Sequence, residues 1–319
     1  MRTLLAQIYE QGAFWQNAVT QKTGLRRALE AVGPLHDFDY LANERATLFA
    51  GFVNRFDTFN PDLMLTQFHG ADPDILAGVR MLRERYPNVT FVNWSGDSWL
   101  HSLTAPPILE LARMYDLWLC AAPDVLPVYS EHGIRAAYWQ IGLEIPDPPL
   151  PDMPTYDLVF MGNVISPQRR ELRTFLRTLP CTVGVYGDGE GTDGHNTYDF
   201  AAGEALYRNA KLAVADAAYV EQINYVSNRP LQIMGAGGAM LLHQYVPKMK
   251  EMLGIDNGVH YMMWENFDHL RWLVTRYVRE EYTGLRQTVA AQARDHVLEH
   301  HTYTRRVGQL MGLIQGIVP

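Results

Sequence analysis

Short apolar runs alternate along the chain with longer stretches that repeat with the period of a helix. The short apolar runs predict β-strands, and the longer stretches predict helices. In the first half, the predicted strands cover residues 3–8, 35–40, 63–67, 90–94, 117–121 and 136–140. Between the third and fourth, Leu76, Val79 and Leu82 share one helical face, and Pro87 ends that helix. This order predicts an α/β protein with parallel sheets and crossover helices.

A proline-rich segment interrupts this alternation. Residues 144–154 contain five prolines, a composition that stiffens an extended chain and forms neither a helix nor a central strand. A second series follows, with strands predicted at 157–161, 181–186, 212–215 and 239–242 and a helix from about Pro167. Three helical stretches then close the chain. We therefore predict two Rossmann-like domains facing a cleft, at 1–145 and 155–300, with 144–154 as part of the linker.

The composition excludes several classes of protein. Apolar residues make up 47% of the 319 residues and charged residues 19%, which is typical of a globular chain. A formal net charge of −8 argues against a protein that coats nucleic acid, although a local basic patch can still bind a polyanion. We predict no signal peptide and no membrane span, and a cytoplasmic location. Cys120 and Cys181 lie in apolar runs and are predicted to be small buried hydrophobes.

The first candidate motif follows the predicted strand 157–161. Gly162 and Asn163 lie on the turn, and Pro167 to Arg169 begin a helix. Free N–H groups at a helix N-terminus, a glycine that permits close approach and an arginine together favour a phosphate. The alternative is an ordinary strand, turn and helix with solvated arginines.

The second motif is YVSNRPLQIMGAGGAMLL, in which Ser227 or Asn228 can cap a helix. Arg229 and Gln232 are three residues apart and share a helical face. This spacing places a cation suited to a diphosphate one turn from an amide suited to ribose hydroxyls. Alternatively, Arg229 pairs with a carboxylate, and the glycines of 235–238 only permit tight packing.

The third motif is NWSGDSW, in which Asp97 follows a predicted central strand. A carboxylate there can act as a general base on an acceptor hydroxyl, and Trp94 and Trp99 can exclude water or stack on a ring. His69 and His101 are weaker candidates for this base, and Asp97 can instead be a turn or capping residue.

We predict no metal, because no Asp-x-Asp pair follows a strand. The sequence DHVLEHH lies on a predicted helix, and GDGEGTDG lacks the ligand pattern of a calcium loop.

The segments WSGD, FMGNVISPQR, SNRPLQIMGAGG and HTYTRR, in this order, resemble GT-B glycosyltransferases, in particular the spore-maturation-like group. The resemblance covers nearly the whole chain and implies a GT-B fold. It also implies that residues 301–319, introduced by His301, Thr302, Tyr303 and Arg306, form a helix that crosses back to the first domain. The family usually has a glutamate for the donor ribose where this chain has Gln232, which weakens the ribose assignment.

The resemblance implies transfer of a sugar from a nucleoside-diphosphate sugar, with a UDP-sugar as the expected donor and no cofactor required. Asp97 is then the catalytic base. The expected donor-binding residues are Gly162, Asn163, Arg169, Tyr186, Gly187, Ser227, Arg229 and Gln232. The expected acceptor-binding residues are Gly12, His69, Trp94 and Trp99.

The acceptor stays open at this point. The motifs are also similar to phage DNA β-glucosyltransferases, which implies a hydroxymethylated base in DNA as acceptor and, for a phage protein, the host cytoplasm as location. Six basic residues can form a rim for DNA phosphates: Lys22, Arg26, Arg27, Arg80, Arg83 and Arg85. The alternatives are a saccharide, protein or small-molecule acceptor, or a non-catalytic nucleotide-sugar-binding protein. We expect a monomer.

Overall fold

A computed structural model describes residues 1–7, 19–39, 45–68, 70–95, 104–143, 145–146, 149–164, 166–194, 200–216 and 224–316. The chain divides into two compact units. Unit 1 comprises Met1–Gly142, Tyr219–Tyr225 and Tyr303–Pro319, and unit 2 comprises Leu143–Ala218 and Val226–Thr302. Unit 1 therefore contains segments from both ends of the sequence and one short segment that interrupts unit 2.

Unit 1 is built on a parallel six-stranded sheet. Its strands are β1 (Thr3–Gln7), β2 (Leu35–Asp39), β3 (Leu63–Thr66), β4 (Thr90–Ser95), β5 (Leu117–Cys120) and β6 (Ala136–Tyr138). They lie in the order β2-β1-β3-β4-β5-β6. The helices along this part of the chain are α1 (Val19–Glu30), α2 (Arg45–Phe59), α3 (Pro73–Arg85), α4 (Pro106–Ala112) and α5 (Leu126–Glu131).

The last helix of the chain, α12 (Tyr303–Gln315), completes the core of unit 1. Tyr303, Val307, Leu310 and Ile314 pack in one hydrophobic cluster with residues of α1, β3, β4 and β5. The Trp139 indole N–H donates a hydrogen bond of 2.9 Å to the carbonyl of Arg306. One face of α12 is therefore buried in unit 1, and Met311 is partly buried beside it.

Unit 2 is built on a parallel five-stranded sheet in the order β11-β10-β9-β7-β8. The strands are β7 (Tyr156–Met161), β8 (Val183–Tyr186), β9 (Ala210–Ala215), β10 (Met240–Gln244) and β11 (Met262–Trp264). The helices are α6 (Pro167–Leu176), α7 (Phe200–Arg208), α8 (Arg229–Ala236), α9 (Met249–Leu253), α10 (Phe267–Tyr277) and α11 (Thr283–His300).

Side-chain alternation along the strands of unit 2 builds two cores, one on each face of the sheet. On β7, Leu158 and Phe160 lie in one hydrophobic cluster, and Val159 and Met161 lie in the other. On β9, Leu212 and Val214 lie in the same cluster as Leu158, and Ala213 and Ala215 lie in the same cluster as Val159. A sheet covered on both faces needs apolar residues at every position, and this explains the continuous apolar runs in the sequence.

The structure confirms the α/β class, the parallel sheets and ten of the strands to within a few residues. The prediction was wrong after β10, because it placed only helices there and missed β11. It was also wrong in part for Cys181, which is only half-buried, whereas Cys120 is buried; both thiols are free. Within the described residues, no helix is long and apolar enough to span a membrane.

Candidate functional site

The strand order of unit 2 fixes where a ligand is expected. From β7 the chain continues to its neighbour β8 on one side, and from β9 it continues to β10 on the other side. Connections that diverge in this way leave a crevice at the carboxyl ends of the two central strands. Gly162 directly follows β7, and Asp216 directly follows β9. The residues around this point form a charged cluster.

A two-pronged ion pair lies at the centre of this cluster. Arg169, in the first turn of α6, donates from Nε to Asp216 Oδ2 at 2.8 Å and from Nη2 to Asp216 Oδ1 at 3.0 Å. Only 13% of the Arg169 side chain and 8% of the Asp216 side chain are exposed. Burial alone would raise the pKa of Asp216, but the charge and hydrogen bonds of Arg169, together with the charge of Arg229, lower that pKa overall. Asp216 is therefore a carboxylate at neutral pH.

Arg229 supplies a second cation beside the same carboxylate. Its Nη1 atom lies 3.9 Å from Asp216 Oδ1, and 14% of its side chain is exposed. The Arg229 side chain also forms a hydrogen bond with the buried Tyr207 on α7. Burial raises the pKa of Tyr207 to about 12. A Cβ atom on Gly162 would lie 3.3 Å from the Arg229 guanidinium carbon. Glycine at this position therefore lets the turn after β7 approach that guanidinium.

The fourth member of the cluster is His243 on β10, which is fully buried. Burial lowers the pKa of His243 to about 4, although the nearby Asp216 charge acts in the opposite direction. His243 is therefore neutral at pH 7. The cluster of Arg169, Arg229, Asp216 and His243 thus carries two positive charges and one negative charge. A partly buried net positive charge at a ligand-binding crevice is suited to an anion.

The two helix N-termini at this point are largely capped by the protein itself. Ser166 Oγ accepts a hydrogen bond of 3.3 Å from the Arg169 N–H, and Ser227 Oγ accepts one of 3.4 Å from the Arg229 N–H. Of the two predicted caps of α8, Ser227 therefore makes the bond, and the Asn228 side chain makes no cap bond. Each of these two helix N-termini therefore already has one N–H group bonded to a serine.

The turns after β7 and β8 are tied together. The Gly162 N–H donates to the Tyr186 carbonyl at 2.7 Å, and the Asn163 side-chain oxygen accepts a hydrogen bond from the Asp188 N–H at 3.0 Å. Gly187 has a φ of 134°, which favours glycine. Tyr186 is a core residue whose hydroxyl lies 3.1 Å from that of Tyr156. Gly162, Asn163, Tyr186 and Gly187, which the sequence predicted to bind the nucleotide sugar, therefore form the turns at the crevice. The charged side chains of the cluster lie beside these turns.

A small pocket opens next to the cluster, between α7 and α8. Arg229 and Gln232, which were predicted to share a helical face, both line it. The other lining residues are Met161, Phe200, Gly203, Glu204, Tyr207 and Asn228.

The predicted acceptor side is only partly described. Asp97, Gly12, His69, Trp99 and the weaker candidate His101 lie outside the described residues. Trp94 is 6% exposed in the core of unit 1, where it packs edge-on against Trp139 with ring centroids 5.2 Å apart. We assign Trp94 a packing role and do not include it among the proposed acceptor contacts.

Sequence reasoning missed Asp216, His243, Tyr207 and Glu204. A signal for Asp216 was present, because it directly follows an apolar strand, and Asp97 was identified from its place shortly after a strand. His243 directly follows the predicted strand 239–242, so the same signal was present for it. Glu204 and Tyr207 join the site only because α7 packs on α8. No group of three or more potential ligands suited to a metal occurs in the part of the chain that the structure describes.

The buried His243 predicts a pH dependence of stability. Between pH 6.5 and about 4 the unfolded chain binds a proton that the folded chain excludes, so stability falls as the pH falls through this window. We expect this single group to lower the free energy of unfolding by about 3 kcal/mol across the window. Urea unfolding at a series of pH values measures it. The dependence should flatten in His243→Asn and persist in His300→Asn, whose side chain is 50% exposed; equal slopes in all three proteins would contradict the prediction.

The charged cluster lies in a segment that matches a known protein family. Residues 169–312 match a family model described as glycosyl transferase-like. The matched segment begins at Arg169 and includes Asp216, Arg229 and His243. No curated protein sequence matches the chain significantly.

Solved structures match over nearly the whole chain. Sucrose-phosphate synthase from Thermosynechococcus elongatus has a TM-score of 0.65 at 12% identity, covering 99% of this chain and 98% of that one. Anabaena HepE in complex with UDP and glucose has a TM-score of 0.64 at 12% identity, covering 99% and 100%. The chain has the GT-B fold. A UDP-forming α,α-trehalose-phosphate synthase from Burkholderia xenovorans shares this GT-B fold, with a TM-score of 0.61 at 11% identity and coverage of 99% and 100%.

Proposed function

We propose that the protein is a glycosyltransferase that moves a sugar from a nucleoside-diphosphate sugar, with a UDP-sugar as the expected donor, to an acceptor hydroxyl. The observation that carries the proposal is the net positive charge of the buried cluster at the crevice of unit 2. A diphosphate carries negative charge that the Arg229 guanidinium can bind. The match of residues 169–312 to the glycosyl transferase-like family model supports this proposal.

The matched structures support the choice of donor. HepE was solved with UDP and with UDP-glucose, and the trehalose-phosphate synthase is described as UDP-forming. In this chain we assign the diphosphate to Arg229. Arg169 directs two of its donor atoms to Asp216 and has a positioning role, because it holds the carboxylate that orients the cluster.

The proposed reaction uses a general base, Asp97, and a cation, Arg229. Asp97 accepts the proton of the acceptor hydroxyl, whose oxygen forms a bond to the anomeric carbon of the donor. The bond from that carbon to the diphosphate oxygen breaks, and the nucleoside diphosphate leaves with its electron pair. Arg229 stabilises the developing negative charge, which is the kind of fixed electrostatic contribution that lowers barriers most. We propose that this step needs no metal.

We propose a saccharide or sugar phosphate as the acceptor. The matched structures named above concern sucrose phosphate, trehalose phosphate and UDP-glucose, and none of them names DNA. The basic rim suggested for DNA is also largely neutralised. Ion pairs of 2.7 to 2.9 Å join four of its arginines to carboxylates: Arg26 to Glu30 and Asp37, Arg80 to Glu110, Arg83 to Asp116, and Arg85 to Asp57.

Removing Arg229 tests the function. We expect Arg229→Met to weaken UDP binding by about 2 kcal/mol, roughly 30-fold, because a charge-assisted contact to the diphosphate is lost. Arg229→Lys keeps the charge and should retain part of the affinity. Isothermal titration calorimetry measures binding, and release of free UDP from UDP-glucose in the presence of EDTA measures turnover.

The control is Arg170→Met, because Arg170 is exposed on α6 next to Arg169. Its affinity for UDP should equal that of the wild type. Equal UDP affinity in the wild type and Arg229→Met would contradict the assignment of the diphosphate. UDP binding without UDP release from UDP-glucose, with or without sugar acceptors, would favour a non-catalytic binding protein. Transfer to hydroxymethylated DNA, with strongly salt-dependent binding, would favour the DNA alternative.

A further inference from the structure

The pocket between α7 and α8 contains a carboxylate that the proposed reaction does not use. Glu204 lines this pocket together with Gln232 and Arg229. Its side chain is only 11% exposed. Carboxylates are seldom buried to this extent unless they are paired or functional.

The ion pair of Glu204 occupies only part of the carboxylate. Arg208, one turn further along α7, bonds to Oε1, and the Arg208 side chain is 46% exposed. Within the described residues, Oε2 accepts no hydrogen bond. A carboxylate has about four acceptor sites, so Glu204 keeps capacity to accept hydrogen bonds from a ligand.

The chemistry of the pocket is suited to neighbouring hydroxyl groups. A carboxylate accepts hydrogen bonds from two adjacent O–H groups, and a glutamine amide both donates and accepts. Gln232 lies one helical turn from Arg229, the cation assigned to the diphosphate. In a nucleotide sugar, the groups joined to the diphosphate are the ribose and the transferred sugar, and both carry hydroxyl pairs. The pocket therefore combines a cation for the phosphates with acceptors for the adjoining hydroxyls.

We propose that Glu204 is a donor-specificity residue whose carboxylate accepts hydrogen bonds from a pair of neighbouring hydroxyls of the nucleotide sugar. The inference rests on the proposed function. It also explains why this chain can have Gln232 where the family usually has a glutamate for the donor ribose. The charged hydrogen-bond acceptor comes from Glu204 on α7, so a neutral amide on α8 is sufficient to complete the pocket. No catalytic step is assigned to Glu204.

Pairs of ligands that carry or lack one of the two hydroxyl-bearing groups test the proposal. Calorimetry compares UDP with 2′,3′-dideoxy-UDP for the ribose, and UDP-glucose with UDP for the transferred sugar. In Glu204→Ala we expect at least a tenfold loss of one of these two preferences, since hydrogen bonds to a charged acceptor are strong. The affinity for the ligand that lacks the hydroxyls should stay unchanged. The preference that is lost identifies the hydroxyl pair as ribose or hexose.

Two further variants separate this role from a structural one. Arg208→Met removes the ion pair but keeps the carboxylate, so it should keep the hydroxyl preference. Adding Gln232→Glu to Glu204→Ala returns a carboxylate to the same pocket and should restore much of the preference. Loss of the preference in Arg208→Met, or its absence from the double variant, would indicate that Glu204 acts only through packing and would overturn the proposal.

The outcomes also distinguish this inference from the proposed function. If wild-type protein binds neither UDP nor UDP-glucose, the proposed function fails, and the inference fails with it. If wild type binds UDP and Glu204→Ala keeps both hydroxyl preferences, the inference is overturned while the proposed function stands.

Discussion

Replacing Asp216 by asparagine is expected to lower the free energy of unfolding by about 3–5 kcal/mol, the usual cost of removing one partner of a buried ion pair. The variant leaves the Arg169 and Arg229 charges, with side chains only 13% and 14% exposed, without their carboxylate. Urea unfolding at pH 7 measures the loss. UDP should partly restore stability, because its diphosphate replaces the missing negative charge.

The pH dependence of this difference has a definite sign. The pKa of Asp216 is lower in the folded protein than in the unfolded chain. Its contribution is therefore fully present above the unfolded pKa of about 3.9 and is lost as the pH falls through the lower folded pKa. A control is Glu280→Gln, which breaks the ion pair between Lys211 and Glu280, whose side chain is 78% exposed. This substitution should lower the free energy of unfolding by less than about 1 kcal/mol. A loss in Asp216→Asn no greater than in this control would contradict the prediction.

Replacing Asp97 by asparagine is expected to reduce the rate of sugar transfer by about 10²- to 10⁴-fold, the usual contribution of a general base. Asparagine has nearly the same shape but cannot accept the proton of the acceptor hydroxyl. The affinity for UDP should be unchanged, because the diphosphate is assigned to unit 2. Steady-state kinetics with UDP-glucose and a sugar acceptor, combined with calorimetry, checks both parts.

Asp74→Asn provides a matched control, since Asp74 is an exposed residue in the first turn of α3. Unchanged turnover in Asp97→Asn would remove Asp97 from the mechanism. A parallel loss of UDP affinity and of the unfolding midpoint would indicate a structural role for Asp97 instead.

Much of the fold was predictable because the strands are buried on both faces. The run LVFM of β7 and the run LAVA of β9 are apolar at every position, since each strand supplies both cores of unit 2. β11 was missed for the opposite reason. It has three residues, pairs only with β10 at the sheet edge, and is too short to show a period.

The candidate site was predictable where its residues follow a strand or begin a helix. Gly162, Arg169 and Arg229 were identified in this way. The sequence offered a carboxylate as one alternative partner for Arg229, but it did not show that Asp216 also takes two donor atoms of Arg169. That pairing depends on how closely the ends of β7, β9 and α6 approach one another. The place of Glu204 beside Gln232 likewise depends on the packing of α7 against α8, which no local pattern encodes.

Unit 1 contains segments from both ends of the sequence, and this affects the order in which the chain folds during synthesis. Domains generally fold as units as they are synthesised, N-terminal first. Here the strands of unit 1 emerge early, but Val307, Leu310 and Ile314 of its core are translated after all of unit 2. The part of unit 2 from β7 to α11, which the segment Tyr219–Tyr225 of unit 1 interrupts, is therefore complete before α12 is translated. Nascent unit 1 then has an uncovered apolar face until α12 leaves the ribosome, and we expect a chaperone to bind this face.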